Sequence, residues 1–128
     1  MKKQTPESNS GDGVFTFHGY GFSVKVGLDK PIVFWADVQA IFAFEEERAG
    51  VNCVCLEVFY GKGENFKVSE YTAGWIRFCE KLAEHFPAMD KSWLSEVSDG
   101  KKVLVYEKAK RVLEEVERVY YPVEKVVA

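Results

Sequence analysis

Four prolines, three cysteines, two histidines and two methionines are all that the 128 residues hold of those types, and each shortage excludes something. Three cysteines are an odd number, so they read as reduced thiols and not as a disulfide framework. Two histidines, His18 and His85, leave little imidazole for catalysis or metal binding. No apolar run approaches bilayer-spanning length. The opening Met1-Lys2-Lys3 is basic but lacks the apolar stretch of an export signal, so a cytoplasmic location is expected.

An excess of one charge is missing as well. Seventeen basic residues stand against twenty acidic ones, for a formal net charge of −3. The densest basic stretches, Lys101-Lys102 and Lys108, Lys110, Arg111, are interleaved with or followed by acids. Neither can follow a phosphate backbone, which removes nucleic acid as an expected partner. A membrane is not expected as a partner either.

What the chain has is apolar and aromatic. Hydrophobic residues make up 47% and aromatics 15%, with 10 Phe and 3 Trp. A chain of this size buries roughly two thirds of its unfolded surface and needs no metal or disulfide staple. Residues 1–12 are polar and turn-rich, and read as a disordered tail. Residues 13–128 read as a single α+β domain.

The first half carries strand signals. Val14–His18 and Phe22–Val26 flank the turn Gly19-Tyr20-Gly21 and predict a hairpin. Asp29-Lys30-Pro31 makes the next turn, and Ile32–Trp35 runs extended. Val38, Ala40, Phe42 and Phe44 alternate onto one face of the following strand, with Gln39 and Glu45 on the other. After a break at Ala49-Gly50, Val51–Tyr60 is apolar on both faces, the mark of a central strand covered on two sides. Gly61-Lys62-Gly63 turns the chain into Asn65–Ser69.

The period then changes. Trp75, Phe78, Cys79, Leu82 and Phe86 share one helix face. Ser69 or Thr72 can cap its start, and Pro87 stops it. Asp90 can cap a short helix carrying Trp93, Leu94 and Val97. Asp99-Gly100 is a turn and Val103–Tyr106 a strand. Ala109, Val112, Leu113, Val116, Val119 and Tyr120 form a second helical stripe that ends at Pro122. The pairs Glu107/Arg111, Lys110/Glu114, Arg111/Glu115 and Glu114/Arg118 are spaced to support it. The expected fold is an antiparallel sheet of about six strands, packed with a central amphipathic helix and a C-terminal helix.

The run Trp35-Ala36-Asp37-Val38-Gln39-Ala40-Ile41, followed by a two-faced strand, a glycine turn and a return strand, resembles bacterial domains of the pleckstrin-homology-like superfold. Downstream, Glu70, Gly74-Trp75, Phe78, Trp93 and Tyr106-Glu107 are similar to a pattern in a group of small bacterial proteins. The resemblance spans about residues 14–107. It implies an open-barrel fold and no chemistry, so it transfers no site residues. The helix within 70–97 departs from pleckstrin-homology topology.

No complete catalytic motif is present. Cys53-x-Cys55 places two thiols on one strand face, with Cα atoms roughly 6.5 Å apart, near the far limit for a disulfide. Zinc would need further ligands, and only Cys79, His18 and His85 remain. All three cysteines therefore read as small core residues. His85, in the last turn of a helix, is explained by the helix dipole. The two glycine turns lack the lysine-serine or lysine-threonine pair of a phosphate loop. Glu45-Glu46-Glu47 lacks the spacers and glycine of a calcium loop and reads as a solvated strand end. Asp37 reads as ending or bulging a strand. Glu57 sits in a strongly apolar strand and needs either a partner or solvent.

These readings name no catalytic, cofactor-binding or metal residues, and no cofactor. They point to a non-enzymatic protein-interaction module of bacterial type, such as an immunity or regulatory factor, using an aromatic, acidic surface or a sheet edge. A homodimer through the C-terminal helix or a sheet edge fits the same pattern. A small-molecule or lipid-binding domain with an aromatic pocket is the alternative. A thiol enzyme is the lesser one.

Overall fold

The computed structural model describes residues 11–90, 92–97 and 101–121. Strands β1 (Phe15–Phe17), β2 (Gly21–Val24) and β3 (Ile32–Phe34) form an antiparallel three-stranded sheet in that order. Two-residue turns join them. His18 and Gly21 exchange backbone hydrogen bonds across Gly19-Tyr20, and Val26 and Asp29 do so across Gly27-Leu28. The second turn thus precedes the Asp29-Lys30-Pro31 turn read from the sequence. Gly27, at φ +60°, supplies the left-handed backbone that such a turn demands.

A single 3-10 turn over Trp35–Asp37 redirects the chain into a second antiparallel sheet. Its strands are β4 (Val38–Arg48), β5 (Val51–Tyr60), β6 (Glu64–Ser69) and β7 (Val103–Glu107), in the order β6-β5-β4-β7. The fold is therefore α+β and antiparallel, and the described residues hold seven strands in two open sheets where one sheet of about six was expected. The 3-10 turn is the reason, because among the described residues no ladder joins β3 to β4.

A bulge between Val38 and Ala40 breaks the expected alternation in β4. Val38 joins Ile41 and Ala43 in the main core, while Ala40 and Phe42 point to the opposite side. In β5, Val54, Leu56 and Val58 face the main core, and Phe59 faces the other side. The two-faced strand read from the sequence is thus central, paired with β4 and β6.

Helix α1 (Trp75–His85) closes the main core between the sheets. Phe78 stacks on Phe15 at 4.5 Å and meets Phe22 edge-on at 5.4 Å. Phe22 is fully buried, so Phe22→Ala should cost about 3–5 kcal/mol. No side chain caps α1. Thr72 Oγ1 accepts the Ser69 amide instead, and Ser69 Oγ accepts that of Tyr71, closing the turn ahead of the helix. Gly74, at φ +95°, leads into it. A Cβ on Gly74 would stand 2.3 Å from the Asp12 carbonyl oxygen, and one on Gly13 would stand 2.0 Å from that of Ala73. The two glycines let these segments cross at backbone contact.

The short helix α2 (Trp93–Val97) lies on β4 and β7. Asp90 accepts from the Ser92 amide and hydroxyl in the turn ahead of it, and Ser92, whose carbonyl accepts the Glu96 amide, holds the cap position in place of Asp90. Helix α3 (Leu113–Tyr120) covers the far side of the second sheet, where Val116 packs with Ala40, Phe42 and Phe59. It begins later than the sequence stripe suggested. Ala109 and Val112 are exposed and lie ahead of the helix, and Lys110 takes a left-handed backbone at φ +61°. The cause is Glu107. Its buried carboxylate accepts the amides of Ala109 and Arg111 and holds them in a loop. Of the spaced ion pairs, Glu107–Arg111 forms at 3.1 Å, but outside any helix. Of the tail read over residues 1–12, residues 1–10 lie outside the described residues, as do the Asp99-Gly100 turn and Pro122, whereas the Asp12 carbonyl accepts the Phe15 amide.

Candidate interaction surface

β3 is the outer strand of the three-stranded sheet, and its register decides what it offers. Val24 N–H donates to Pro31 C=O and Trp35 N–H to Tyr20 C=O, with Phe22 opposite Val33. By antiparallel alternation, Pro31, Val33 and Trp35 turn their backbone groups inward. Ile32 and Phe34 turn theirs outward, and among the described residues no strand pairs with that edge. Pro31 occupies an inward position, so its missing N–H takes nothing from the open edge.

The side chains of the same residues are exposed. Ile32 is 57% accessible and Phe34 46%. Tyr20, 56% accessible, lies 5.5 Å from the Phe34 ring, and His18 stacks on Tyr20 at 5.1 Å. Leu28 stands fully exposed at the next turn. The cluster is aromatic, and the charges that adjoin it in the chain, Lys25, Asp29 and Lys30, are of both signs. The sequence supplied the exposed edge as a general possibility. It could not single out β3, because Ile32–Trp35 reads as continuously apolar, and only the pairing register separates inward from outward residues.

The other candidate residues are dispersed. His18 belongs to this aromatic cluster, whereas His85 ends α1 and stacks on Trp35 at 4.0 Å. Cys79 lies on α1 beside the main core. Cys53 and Cys55 lie on the opposite face of β5, with sulfurs 4.0 Å apart, and neither belongs to an apolar cluster. Burial, then the neighbouring Cys53, pushes the Cys55 thiol up to about 12. Burial also pushes Cys79 up to about 12. Neither is poised as a nucleophile. Glu46 bridges to Lys67 at 2.5 Å and Arg48 at 3.1 Å, while Glu47 is exposed. Asp37 ends the 3-10 turn, and its carbonyl accepts from Gly61 N–H. Glu57 accepts from Asn65 and from the Tyr121 phenol, which answers its need for a partner.

A cleft of about 590 Å³ opens between the segment after α1 and the β7–α3 loop, bordered by His85, Phe86, Tyr106, Lys110 and Arg111. Among the described residues no helix is long and apolar enough to cross a membrane, and no group of three or more His, Cys, Asp or Glu could hold a metal ion. No protein-family model, curated protein or solved structure matches this chain.

Proposed function

We propose that the protein is a non-enzymatic, cytoplasmic protein-interaction module of bacterial type that receives an extended segment of a protein partner along β3. The observation that carries this reading is the coincidence of two features at Ile32 and Phe34. Both residues present unpaired backbone groups at the edge, and both expose apolar side chains on one face. Strand addition uses this combination: main-chain hydrogen bonds supply affinity, and alternate side chains supply selectivity. An isolated edge of this kind is an aggregation liability unless it is occupied or guarded. Here neither Ile32 nor Phe34 is a guarding charge. An immunity or regulatory role suits such a module, and the arrangement of two antiparallel sheets followed by a C-terminal helix suits the pleckstrin-homology-like outline.

Ile32→Lys and Phe34→Lys test the reading. Each puts a charge on the edge without touching the core, so stability should change by no more than about 0.5 kcal/mol. Native mass spectrometry of the wild type drawn from its host's lysate should show a stoichiometric protein companion, and both variants should lose it. A companion retained by both folded variants would place the interface elsewhere.

A second reading has its own observation. The 590 Å³ cleft is walled by the rings of Phe86 and Tyr106, 4.4 Å apart, with the Lys110 and Arg111 cations at its rim. Asp90 and Glu107 line it too, and Arg111 is paired with Glu107, so the cleft suits a small molecule with an apolar body. An added small mass on the isolated chain, lost in Arg111→Ala, would favour this reading over strand addition.

A further inference from the structure

Cys53 and Cys55 lie outside both apolar clusters, although Phe44 stands opposite Cys55 across the β4–β5 ladder. Both thiols are under 2% exposed, and their sulfurs lie 4.0 Å apart on the face of β5 opposite the main core. Beside Phe44 on that face stands a charged group. Glu46, cross-strand from Cys53, approaches Cys55 Sγ to 4.0 Å, and its carboxylate is held by Lys67 and Arg48. A pair of residues serving only to fill space would sit better in an apolar cluster.

We propose that Cys53 and Cys55 form a two-sulfur site for a soft monovalent cation of the copper(I) class. Soft thiolates favour such an ion, which is satisfied by few ligands. A two-residue strand repeat puts both sulfurs on one face of the sheet, 4.0 Å apart. The bridged Glu46 is already committed to two cations, and among the described residues no third ligand completes a zinc cluster. Binding balances as Cu⁺ + 2 RSH → [Cu(SR)₂]⁻ + 2 H⁺. The anion so formed lies 4.0 Å from the Glu46 carboxylate, whose own charge Lys67 and Arg48 pair, leaving the group of three with one net positive charge to offset it. Those two side chains and Glu46 are themselves 33–55% exposed, so the ion enters by their rotation and not by opening of the core. Because two protons leave, affinity rises with pH across the neutral range.

The test is an anaerobic titration of the reduced full chain with copper(I) against a competing chelator. One copper per chain is expected, with two sulfur neighbours by X-ray absorption. Cys79→Ala should leave this unchanged, since Cys79 lies on the other side of the sheet. Cys53→Ala or Cys55→Ala should weaken binding by roughly 100-fold or more, because loss of a mere supporting partner already costs 10–100-fold. A one-sulfur site, dependence on Cys79, or undiminished binding in Cys55→Ala would overturn the proposal. Should the alanine variants fail to fold, phenylarsine oxide decides on the wild type. It forms a cyclic adduct with two neighbouring thiols, R–As=O + 2 R′SH → R–As(SR′)₂ + H₂O. A single adduct on the peptide holding Cys53 and Cys55 supports the site, and unmodified thiols refute it.

Discussion

The phenol of Tyr121 donates to the carboxylate of Glu57, 64 residues earlier in the chain and on the far face of the central strand. Lys102 lies over the same ring at 3.8 Å and pairs with Glu117 at 3.3 Å. The end of α3 is therefore tied to the second sheet by a polar clasp as well as by Val116.

Tyr121→Phe keeps the ring and removes the donor. Among the described residues, Asn65 then remains as the hydrogen-bond donor to Glu57. The expected loss is about 1.5–3 kcal/mol, the worth of a hydrogen bond to a charged group. Urea unfolding measures it. A loss no larger than that of an exposed Tyr20→Phe control would show that the clasp contributes nothing.

Alkaline pH should loosen the fold through the same residue. Burial first, and then Glu57, push the Tyr121 phenol above the ordinary tyrosine range, and burial raises Tyr60 and Tyr106 in the same direction. A folded value above the unfolded one gives stability that is whole below about pH 10 and is lost as pH climbs through the folded value. Melting temperatures should fall above that point. The decline should be shallower in Tyr121→Phe than in the wild type.

Acid acts on Glu107. Burial pushes its carboxyl up, but the Arg111 guanidinium and the Arg111 and Ala109 amides outweigh this and hold it below the usual carboxylate range. Its contribution is present above about pH 4.3 and vanishes as pH drops through the lowered value. Glu107→Gln should cost about 1–3 kcal/mol at neutral pH. It should also flatten the acid limb of stability against pH. An unchanged acid limb would assign acid sensitivity to other carboxylates.

The β4–β5 turn is built from Ala49 and Gly50, at φ +52° and +80°. A side chain other than asparagine or aspartate is poorly suited to that first position. Ala49→Asn or Ala49→Gly should stabilise the protein by up to about 1 kcal/mol, read as a rise in the denaturant midpoint. A fall would mean that the alanine methyl makes a contact worth more than the strain it creates.

Most elements were legible because their causes are local. The period of Trp75, Phe78 and Leu82 fixed α1, and the double-sided apolar run fixed β5. What escaped depends on contacts distant in sequence or on one side chain competing for backbone. The bulge at Val38/Ala40 moved one residue to the other face. Glu107 drew two amides away from a helix that the stripe at 109–120 would have begun sooner. The open edge at Ile32 and Phe34 escaped for a related reason: hydrophobicity is a property of a residue, but being unpaired is a property of its neighbour. The two thiols were legible as a pair. Their company of Glu46, Arg48 and Lys67 was not, since it takes three strands to assemble.

The crossing at Gly13 and Gly74 has an evolutionary consequence. Each glycine leaves room for the other segment's carbonyl, and each holds a backbone angle that side chains resist. Relaxing one site alone brings no freedom, because the other still forbids separation or bulk. In any lineage that keeps this fold, the two positions should therefore change together or stay fixed, and a descendant that loses one should also have rebuilt the path from the first strand to the first helix.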